Sequence, residues 1–306
     1  MSRIHEALKK AAEERAAQLR TGVDAGVAEI VAEPSRSSHV TQQPEIITAM
    51  PLPRATIPKS QDEGFRYEEL VKRCAHPEWR PDPLNSVFLG SSTGEGGPER
   101  FRTLRSRLYK IASTRKLKSV LITSSVAAEG KSFVASNLAQ TIVQQPELRV
   151  LLIDADLRAS RLHLLFGAPN CPGLSDYLRG EADEYAVIQK GMNENLFLIP
   201  CGSPVSNPSE LLLSERMKQL LNLLTPSFDW IIIDSPPALP VHDASNLADI
   251  VDGVLLVLRA GSTDAEIAER TAAEFKDKNL LGVILNQVAK SDSYGDKYQN
   301  YYGDRS

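Results

Sequence analysis

The segment Ser125 to Ser132, S-V-A-A-E-G-K-S, contains residue types that could hold phosphate groups. An apolar run, Ser119 to Thr123, precedes it and a helix-like segment follows, which is the strand, loop and helix order of a P-loop. Backbone N–H groups at a helix N-terminus attract phosphate, Lys131 adds a positive charge, and the Ser132 hydroxyl suits Mg²⁺. The loop departs from the usual pattern because Ser125 stands in place of the first glycine.

Aspartates at the ends of two further apolar runs could complete a magnesium site. Asp154 and Asp156 follow the run Val150 to Ile153, and Asp234 follows the run Trp230 to Ile233. Ligands of an open parallel sheet bind beyond the carboxyl ends of its strands, so these carboxylates are expected near the P-loop. Mg²⁺ prefers such oxygen ligands. An aspartate that caps the next helix is the alternative explanation for one member of the first pair.

Six apolar runs predict the sheet that would position these residues. They are apolar throughout, as expected of strands covered by helices on both faces, and they alternate with longer amphipathic segments. The sequence therefore predicts an α/β fold, a doubly wound and mostly parallel sheet of the P-loop NTPase type. The candidate strands are Ser119–Thr123, Val150–Ile153, Leu196–Pro200, Trp230–Ile233, Val254–Leu258 and Val283–Leu285. A helix start is predicted at Asn207, with Pro208 at the first helical position, before the run Leu211 to Leu224.

Composition divides the chain into four parts. Residues 1–20 predict a helix, either solvent-exposed or docked on a partner. Residues 21–85 are rich in Pro, Ser, Thr and charge and predict a flexible linker, with a short helix around Tyr67 to Cys74. Residues 86–290 are assigned to the P-loop domain, and residues 291–306 to a flexible tyrosine-rich tail.

Charge and cysteine content exclude several classes of protein. The formal net charge of −4 and pI near 5.8 disfavour binding to DNA or RNA, which needs clustered positive charge. Three cysteines without a CxxC pair fit a reducing cytoplasm and disfavour an iron–sulfur reductase. No apolar run reaches the roughly 20 residues of a membrane helix, so membrane contact is expected through a partner.

From about Ser86 onward the sequence resembles the bacterial tyrosine kinases that regulate capsule and exopolysaccharide production. The D-x-D-x-R motif at Asp154, Asp156 and Arg158 is similar to that family's modified Walker motif, and Asp234 begins its D-x-x-P motif. Further similar stretches are 173–180 (GLSDYLRG), 207–212 (NPSELL), 252–259 (DGVLLVLR) and 282–286 (GVILN).

The resemblance implies a site for ATP and Mg²⁺. Lys131 and the loop amides would hold the phosphates, and Asp154 would accept the proton of a tyrosine hydroxyl. Magnesium would be organised by Ser132, Asp156 and Asp234. The other residues expected to contact the nucleotide are Ala127, Ala128, Glu129, Gly130, Phe133, Arg158 and Asn286.

The resemblance also implies self-assembly through an E-x-x-R-x-x-R motif. Glu99, Arg102 and Arg105 lie at this spacing, and in the family this helix joins neighbouring subunits into a ring. One acid and two bases at helical spacing can pair with complementary charges on a neighbour. A solvated charged face is the alternative explanation.

Four of the chain's eight tyrosines lie in its last sixteen residues. Polar, glycine-containing sequence surrounds them, which argues against burial. In the family such a cluster is autophosphorylated, in trans when the tail reaches a neighbouring subunit. The predicted phosphorylation sites are Tyr294, Tyr298, Tyr301 and Tyr302.

The resemblance is to the separate, cytoplasmic form of the family. It implies a transmembrane polysaccharide co-polymerase as activating adaptor at the inner face of the plasma membrane, and other tyrosine-containing proteins as substrates. One alternative is a partitioning-type P-loop ATPase, although such proteins usually carry a second lysine where this loop has Ser125 and Val126. Another is a nucleotide-binding scaffold of the export machinery without catalytic activity, suggested by Ser125, Ala127 and Ala128.

Overall fold

A seven-stranded sheet forms the centre of the protein. The computed structural model describes residues 65–89, 96–191 and 195–288. The strands are β1 (Ser119–Ser124), β2 (Val150–Asp154), β3 (Gln189–Lys190), β4 (Leu196–Ile199), β5 (Trp230–Asp234), β6 (Gly253–Arg259) and β7 (Leu280–Asn286). Their order is β3-β4-β2-β5-β1-β6-β7, and only β3 runs antiparallel to its neighbour. The predicted α/β fold with a mostly parallel sheet is confirmed.

Helices cover both faces of this sheet. They are α1 (Tyr67–Arg73), α2 (Gly97–Ala112), α3 (Lys131–Ile142), α4 (Leu162–Phe166), α5 (Leu174–Arg179), α6 (Pro208–Leu213), α7 (Glu215–Leu224), α8 (Asp243–Ala248) and α9 (Ala265–Glu274). Along β1, Leu121 enters the core on one face, whereas Val120 and Ile122 enter the core on the other. Both faces of the sheet are therefore buried against helices, which explains why the strand sequences are apolar without alternation.

The six predicted strands are present, with ends that differ by a few residues. β3 was not predicted, since two residues are too few for a periodic pattern. The predicted helical run Leu211 to Leu224 is divided at Ser214, whose extended backbone (ψ 153°) separates α6 from α7. The Ser214 hydroxyl donates to the Leu211 carbonyl oxygen (2.6 Å), so a local hydrogen bond competes with the helix there.

Residues 75–89, here called the strap, pack against the domain although the sequence predicts a linker up to residue 85. Trp79 is buried, as is Leu70 in the preceding helix α1, which confirms the short helix expected around Tyr67. Asn137 of α3 holds the end of the strap: its Oδ1 accepts from the Val87 N–H (2.8 Å) and its Nδ2 donates to the Asn85 carbonyl oxygen (3.0 Å). The predicted boundary at residue 86 thus lies inside the packed unit.

The predicted N-terminal helix, most of the predicted linker and the tyrosine-rich tail lie outside the described residues. In the described ranges, none of the helices combines the length and apolar character needed to cross a bilayer.

Replacing Asn137 tests how firmly the strap is held. Asn137→Ala leaves the buried Val87 N–H and Asn85 carbonyl without their partner, so we expect a loss of about 2 kcal/mol in unfolding free energy, measured by urea denaturation. Gln140→Ala is the control, because Gln140 accepts a single, partly exposed hydrogen bond from Ser86 and its loss should cost about 0.5 kcal/mol. Equal losses in the two variants would show that the strap is not held at Asn137.

Candidate active site

The P-loop joins the end of β1 to the start of α3 and has two residues with left-handed backbone. Gly130 has φ 92° and Ala128 has φ 65°. A Cβ atom at Gly130 would lie 2.0 Å from Nδ2 of Asn286, so glycine is required both for its conformation and for the close approach. Ala127 and Ala128 are exposed at the loop surface. The space above the loop thus remains free for a ligand to reach the backbone.

Lys131, the first residue of α3, forms a buried ion pair with Asp156. Its Nζ lies 2.8 Å from Oδ2 of Asp156, and the two side chains are 12% and 2% exposed. Burial alone would lower the pKa of Lys131, but the charges of Asp234 and Asp156 outweigh it and raise that pKa. Lys131 is therefore a charged group at neutral pH.

Asp154 and Asp234 lie directly opposite each other in the register of β2 and β5. Both carboxylates are fully buried. Burial raises the pKa of Asp154 to about 6, even though Ser160 and Leu162 donate hydrogen bonds that favour its ionised form. The Leu162 N–H, the first of α4, also donates to Asp154 (3.1 Å), but the N-cap residue of that helix is Arg161, so Asp154 is not its capping residue.

Asp234 has no hydrogen-bond partner on either carboxylate oxygen. Burial raises its pKa to about 7, and the charge of Lys131 and the nearby Ser132 hydroxyl, which does not reach hydrogen-bond geometry, lower it only in part. A buried carboxylate left without a partner is unusual and indicates a site for a ligand or ion. Asp154 and Asp156 differ in this respect, because backbone N–H groups of their own loop donate to both.

The residues predicted to organise Mg²⁺ fit that ion only in combination with phosphate. Among the residues that the structure describes, no group of three or more His, Cys, Asp or Glu side chains could hold a metal by itself. Mg²⁺ normally uses one or two carboxylates together with water and phosphate oxygens. Ser132, Asp156 and Asp234 offer that partial set, with Asp234 still free to accept.

Glu129 shapes the P-loop from within. Its carboxylate accepts from the Val126 N–H (2.9 Å) and from the Thr263 hydroxyl, and it is 2% exposed. Its carbonyl oxygen accepts from Nδ2 of Asn286 (2.9 Å). Glu129 and Asn286, both predicted to contact nucleotide, thus also hold the loop against β6 and β7. Sequence reasoning missed Thr263, which belongs to none of the motifs.

Arg158 lies exposed in the loop after β2, with its guanidinium hydrogen-bonded to two side chains of the protein. Its Nε donates to Oδ2 of Asp243 (2.8 Å) and its Nη2 to the Ser209 hydroxyl (2.8 Å). Asp243 is fully buried. The sequence predicted Arg158 as a nucleotide contact but gave no sign of Asp243, which begins α8. Phe133, another predicted contact, packs against Phe101 of α2 with ring centroids 6.0 Å apart.

The predicted assembly motif lies on α2, where two of its three residues are exposed. Glu99 and Arg102 form an ion pair of 3.2 Å within the helix, and both are solvent-exposed. Arg105 donates to the Thr141 carbonyl oxygen (2.8 Å) of α3 in the same subunit. Assembly through this helix stays a prediction. Tyr294, Tyr298, Tyr301 and Tyr302 lie outside the described residues.

The fold and this site define a P-loop nucleotide-binding protein. Residues 120–302 match the family described as the CobQ/CobB/MinD/ParA nucleotide binding domain. The tyrosine-protein kinase YwqD of Bacillus subtilis is 38% identical over 210 residues, which are 67% of this chain and 86% of YwqD. The chain belongs to the family of bacterial tyrosine-protein kinases.

Two further relatives support this assignment. The tyrosine-protein kinase Etk of Escherichia coli strain K12 is 36% identical over 247 residues, covering 80% of this chain. The chain spans only 34% of the length of Etk. The solved kinase domain of Escherichia coli ETK superposes with a TM-score of 0.60 at 33% identity, over 67% of this chain and 82% of that domain.

The contact between Gly130 and Asn286 predicts a specific pattern of stabilities. Gly130→Ala should cost about 3 kcal/mol of unfolding free energy, since a left-handed alanine and a steric clash add together. Gly261→Ala, at φ 67° with open space around it, should cost about 1 kcal/mol. In the double variant Gly130→Ala/Asn286→Ala the clash is absent, so its loss of unfolding free energy should fall close to that of Gly261→Ala. If the double variant recovers nothing, the clash is not with Asn286.

The raised pKa of Asp234 predicts that replacing this residue by asparagine stabilises the folded protein, and that the stabilisation depends on pH. The folded protein keeps the Asp234 proton up to about pH 7, whereas the unfolded chain releases it near its ordinary pKa of 3.8. Stability from this group is therefore highest at acid pH and is lost as the pH rises from about 4 to 7. Without nucleotide, Asp234→Asn should be more stable than wild type by about 3 kcal/mol at pH 8, shrinking toward pH 4.

Thermal unfolding across this pH range measures the effect. Asp277→Asn is the control, because it makes the same substitution at an exposed aspartate outside the site. A pH-independent difference between Asp234→Asn and wild type would contradict the assigned titration.

Proposed function

We propose that the chain is an ATP-dependent protein tyrosine kinase that autophosphorylates its C-terminal tyrosines and regulates polysaccharide polymerisation and export. The observation that carries the proposal is the charge cluster behind the P-loop. Lys131 pairs there with Asp156, while Asp234 is buried with both oxygens unpartnered. Membership of the bacterial tyrosine-kinase family, with YwqD covered over 86% of its length, supports the same activity.

The chemistry follows from the residues in this cluster. The P-loop amides and Lys131 hold the β- and γ-phosphates of ATP and stabilise their charge. Ser132, Asp156 and Asp234 would hold Mg²⁺, which when bound would neutralise charge on the transferred phosphate. Asp154 is the general base: its pKa, raised by burial to about 6, makes it a stronger base than an exposed aspartate. It accepts the proton of the tyrosine hydroxyl as the phosphate is transferred.

The proposed substrates are Tyr294, Tyr298, Tyr301 and Tyr302 of a neighbouring subunit, followed by tyrosines of other proteins. A ring assembled through α2 would bring each tail to the next site, and the exposed Glu99 and Arg102 suit such a contact. Each phosphate adds about −1.5 to −2 charge, so labelled tails repel one another and loosen the ring. A transmembrane adaptor with a cytoplasmic activating segment would place the kinase at the inner membrane face.

The two alternatives fit the site less well. A partitioning-type ATPase usually carries a second lysine early in the P-loop, where this chain has Ser125 and Val126. A scaffold that has lost catalytic activity would be expected to lose some of the site residues, whereas Lys131 and three carboxylates are all retained at one sheet edge. Neither alternative accounts for the tyrosine cluster at the C-terminal end.

Loss of Lys131 should abolish tyrosine labelling. We expect purified full chain with ATP and Mg²⁺ to label its C-terminal tyrosines, and Lys131→Met to reduce the rate by about 100-fold or more, because the phosphates lose their cation. Phosphopeptide mass spectrometry measures the rate and the positions. Lys218→Met is the matched control, since Lys218 is an exposed lysine that pairs with Glu215 of its own helix.

Equal labelling of Lys131→Met and wild type would contradict the proposal. So would the absence of labelling in wild type when the cytoplasmic segment of its membrane adaptor is added. ATP hydrolysis without phosphotyrosine in that experiment would favour the partitioning-type ATPase.

A further inference from the structure

Two side chains outside every motif connect the buried Asp154 to the protein surface. The Ser160 hydroxyl lies 2.9 Å from Oδ2 of Asp154 and 2.9 Å from Nδ1 of His163. Asp154 is fully buried, whereas Ser160 and His163 are half-buried. His163 belongs to the short helix α4, whose first N–H also donates to Asp154. The loop after β2 and α4 therefore converge on one carboxylate oxygen.

We propose that Ser160 and His163 are positioning residues for Asp154, with His163 directing the only hydrogen of the Ser160 hydroxyl onto the carboxylate. The inference rests on the proposed function, in which Asp154 accepts the tyrosine proton. The remaining contacts of Asp154 are backbone N–H groups, from Asp156 on Oδ1 (3.2 Å) and from Leu162 on Oδ2 (3.1 Å). Ser160 is thus the one side chain that hydrogen-bonds this carboxylate within the described ranges.

The donor pattern follows from counting hydrogens. An ionised carboxylate can only accept, so the Ser160 hydroxyl is the donor toward Asp154. That hydroxyl then has only lone pairs left for His163, and the contact at 2.9 Å requires a hydrogen on Nδ1 of His163. The opposite tautomer would draw the Ser160 hydrogen toward the imidazole and leave Asp154 without it.

The surroundings favour this arrangement. Burial and the nearby Arg161 lower the pKa of His163, so the ring is mostly neutral at pH 7. Its tautomer then decides whether the Ser160 hydroxyl donates to Asp154 or to the imidazole. Burial, together with the neighbouring Asp154, raises the pKa of the Cys201 thiol beside Ser160 to about 12. Cys201 is therefore a neutral thiol that does not compete as a charged acceptor for the Ser160 hydrogen.

The hydrogen bonds of Ser160 with Asp154 and His163 do not involve the residues that shape the phosphate-binding loop. Lys131 pairs with Asp156, and Asn286 contacts the P-loop, but neither touches Ser160 or His163. Removal of the Ser160 hydroxyl should therefore reduce turnover and leave ATP affinity unchanged. Loss of one hydrogen bond to a charged group corresponds to a factor of about 10.

Kinetics on the full chain test the inference. We expect Ser160→Ala to lower the turnover number for tyrosine phosphorylation about tenfold with an unchanged KM for ATP, and Ser160→Thr, which keeps the hydroxyl, to stay within about twofold of wild type. His163→Leu should resemble Ser160→Ala, whereas His163→Asn, which can place an amide N–H near the Nδ1 position, should recover part of the turnover. His242→Leu is the control, because His242 is an exposed histidine before α8.

Nitrogen-15 NMR of the histidine side chains gives a readout independent of catalysis. The neutral His163 ring should carry its hydrogen on Nδ1 in wild type, and Ser160→Ala should shift it toward the Nε2 tautomer. An Nε2–H tautomer in wild type would overturn the inference, as would full turnover of Ser160→Ala in an active enzyme. Wild-type protein that labels no tyrosine, even with the adaptor segment, contradicts the kinase proposal instead.

Discussion

The site depends on one electrostatic constraint, which is that three buried carboxylates share a single buried ammonium. Asp154 and Asp234 face each other across neighbouring strands, and Lys131 is the cation that the described part of the chain places close to them. Burial of unbalanced charge is costly, and the pKa values of about 6 and 7 for the two carboxyls express that cost. A site with this excess of negative charge attracts cations.

The central part of the fold and of the site follows from sequence because its signals are local. Strands buried on both faces must be apolar throughout, so the runs that became β1, β2 and β5 are recognisable without knowledge of their neighbours. The polar residue that follows such a run marks a strand end, and parallel strands bring their ends to one edge. The sequence therefore suffices to predict that Lys131, Asp154 and Asp234 lie at the same edge of the sheet.

The features that sequence reasoning missed depend on contacts between distant residues. Trp79 is one apolar residue in a polar stretch, and its packing on Phe166, like the Asn137 hydrogen bonds to Val87 and Asn85, becomes visible only in the structure. The hydrogen bond of Arg158 to Asp243 could not be predicted, because Asp243 lies 85 positions away and belongs to no motif. The division of a long helical run at Ser214 also escaped prediction, since serine is tolerated within helices and interrupts them only in particular surroundings.

The contact of Asn286 with the P-loop constrains the alignment of the edge strand β7 with β6. Edge strands have one neighbour, so their alignment is usually the least constrained in a sheet. Here a slip of one residue along β6 would bring Leu285 or Gln287 to the position of Asn286 and remove the amide that donates to the Glu129 carbonyl oxygen. Correct alignment at the periphery of the sheet is thus a condition for a correctly shaped phosphate loop. Substitutions that loosen β7 should consequently weaken nucleotide binding from a distance, without altering any residue that touches the ligand.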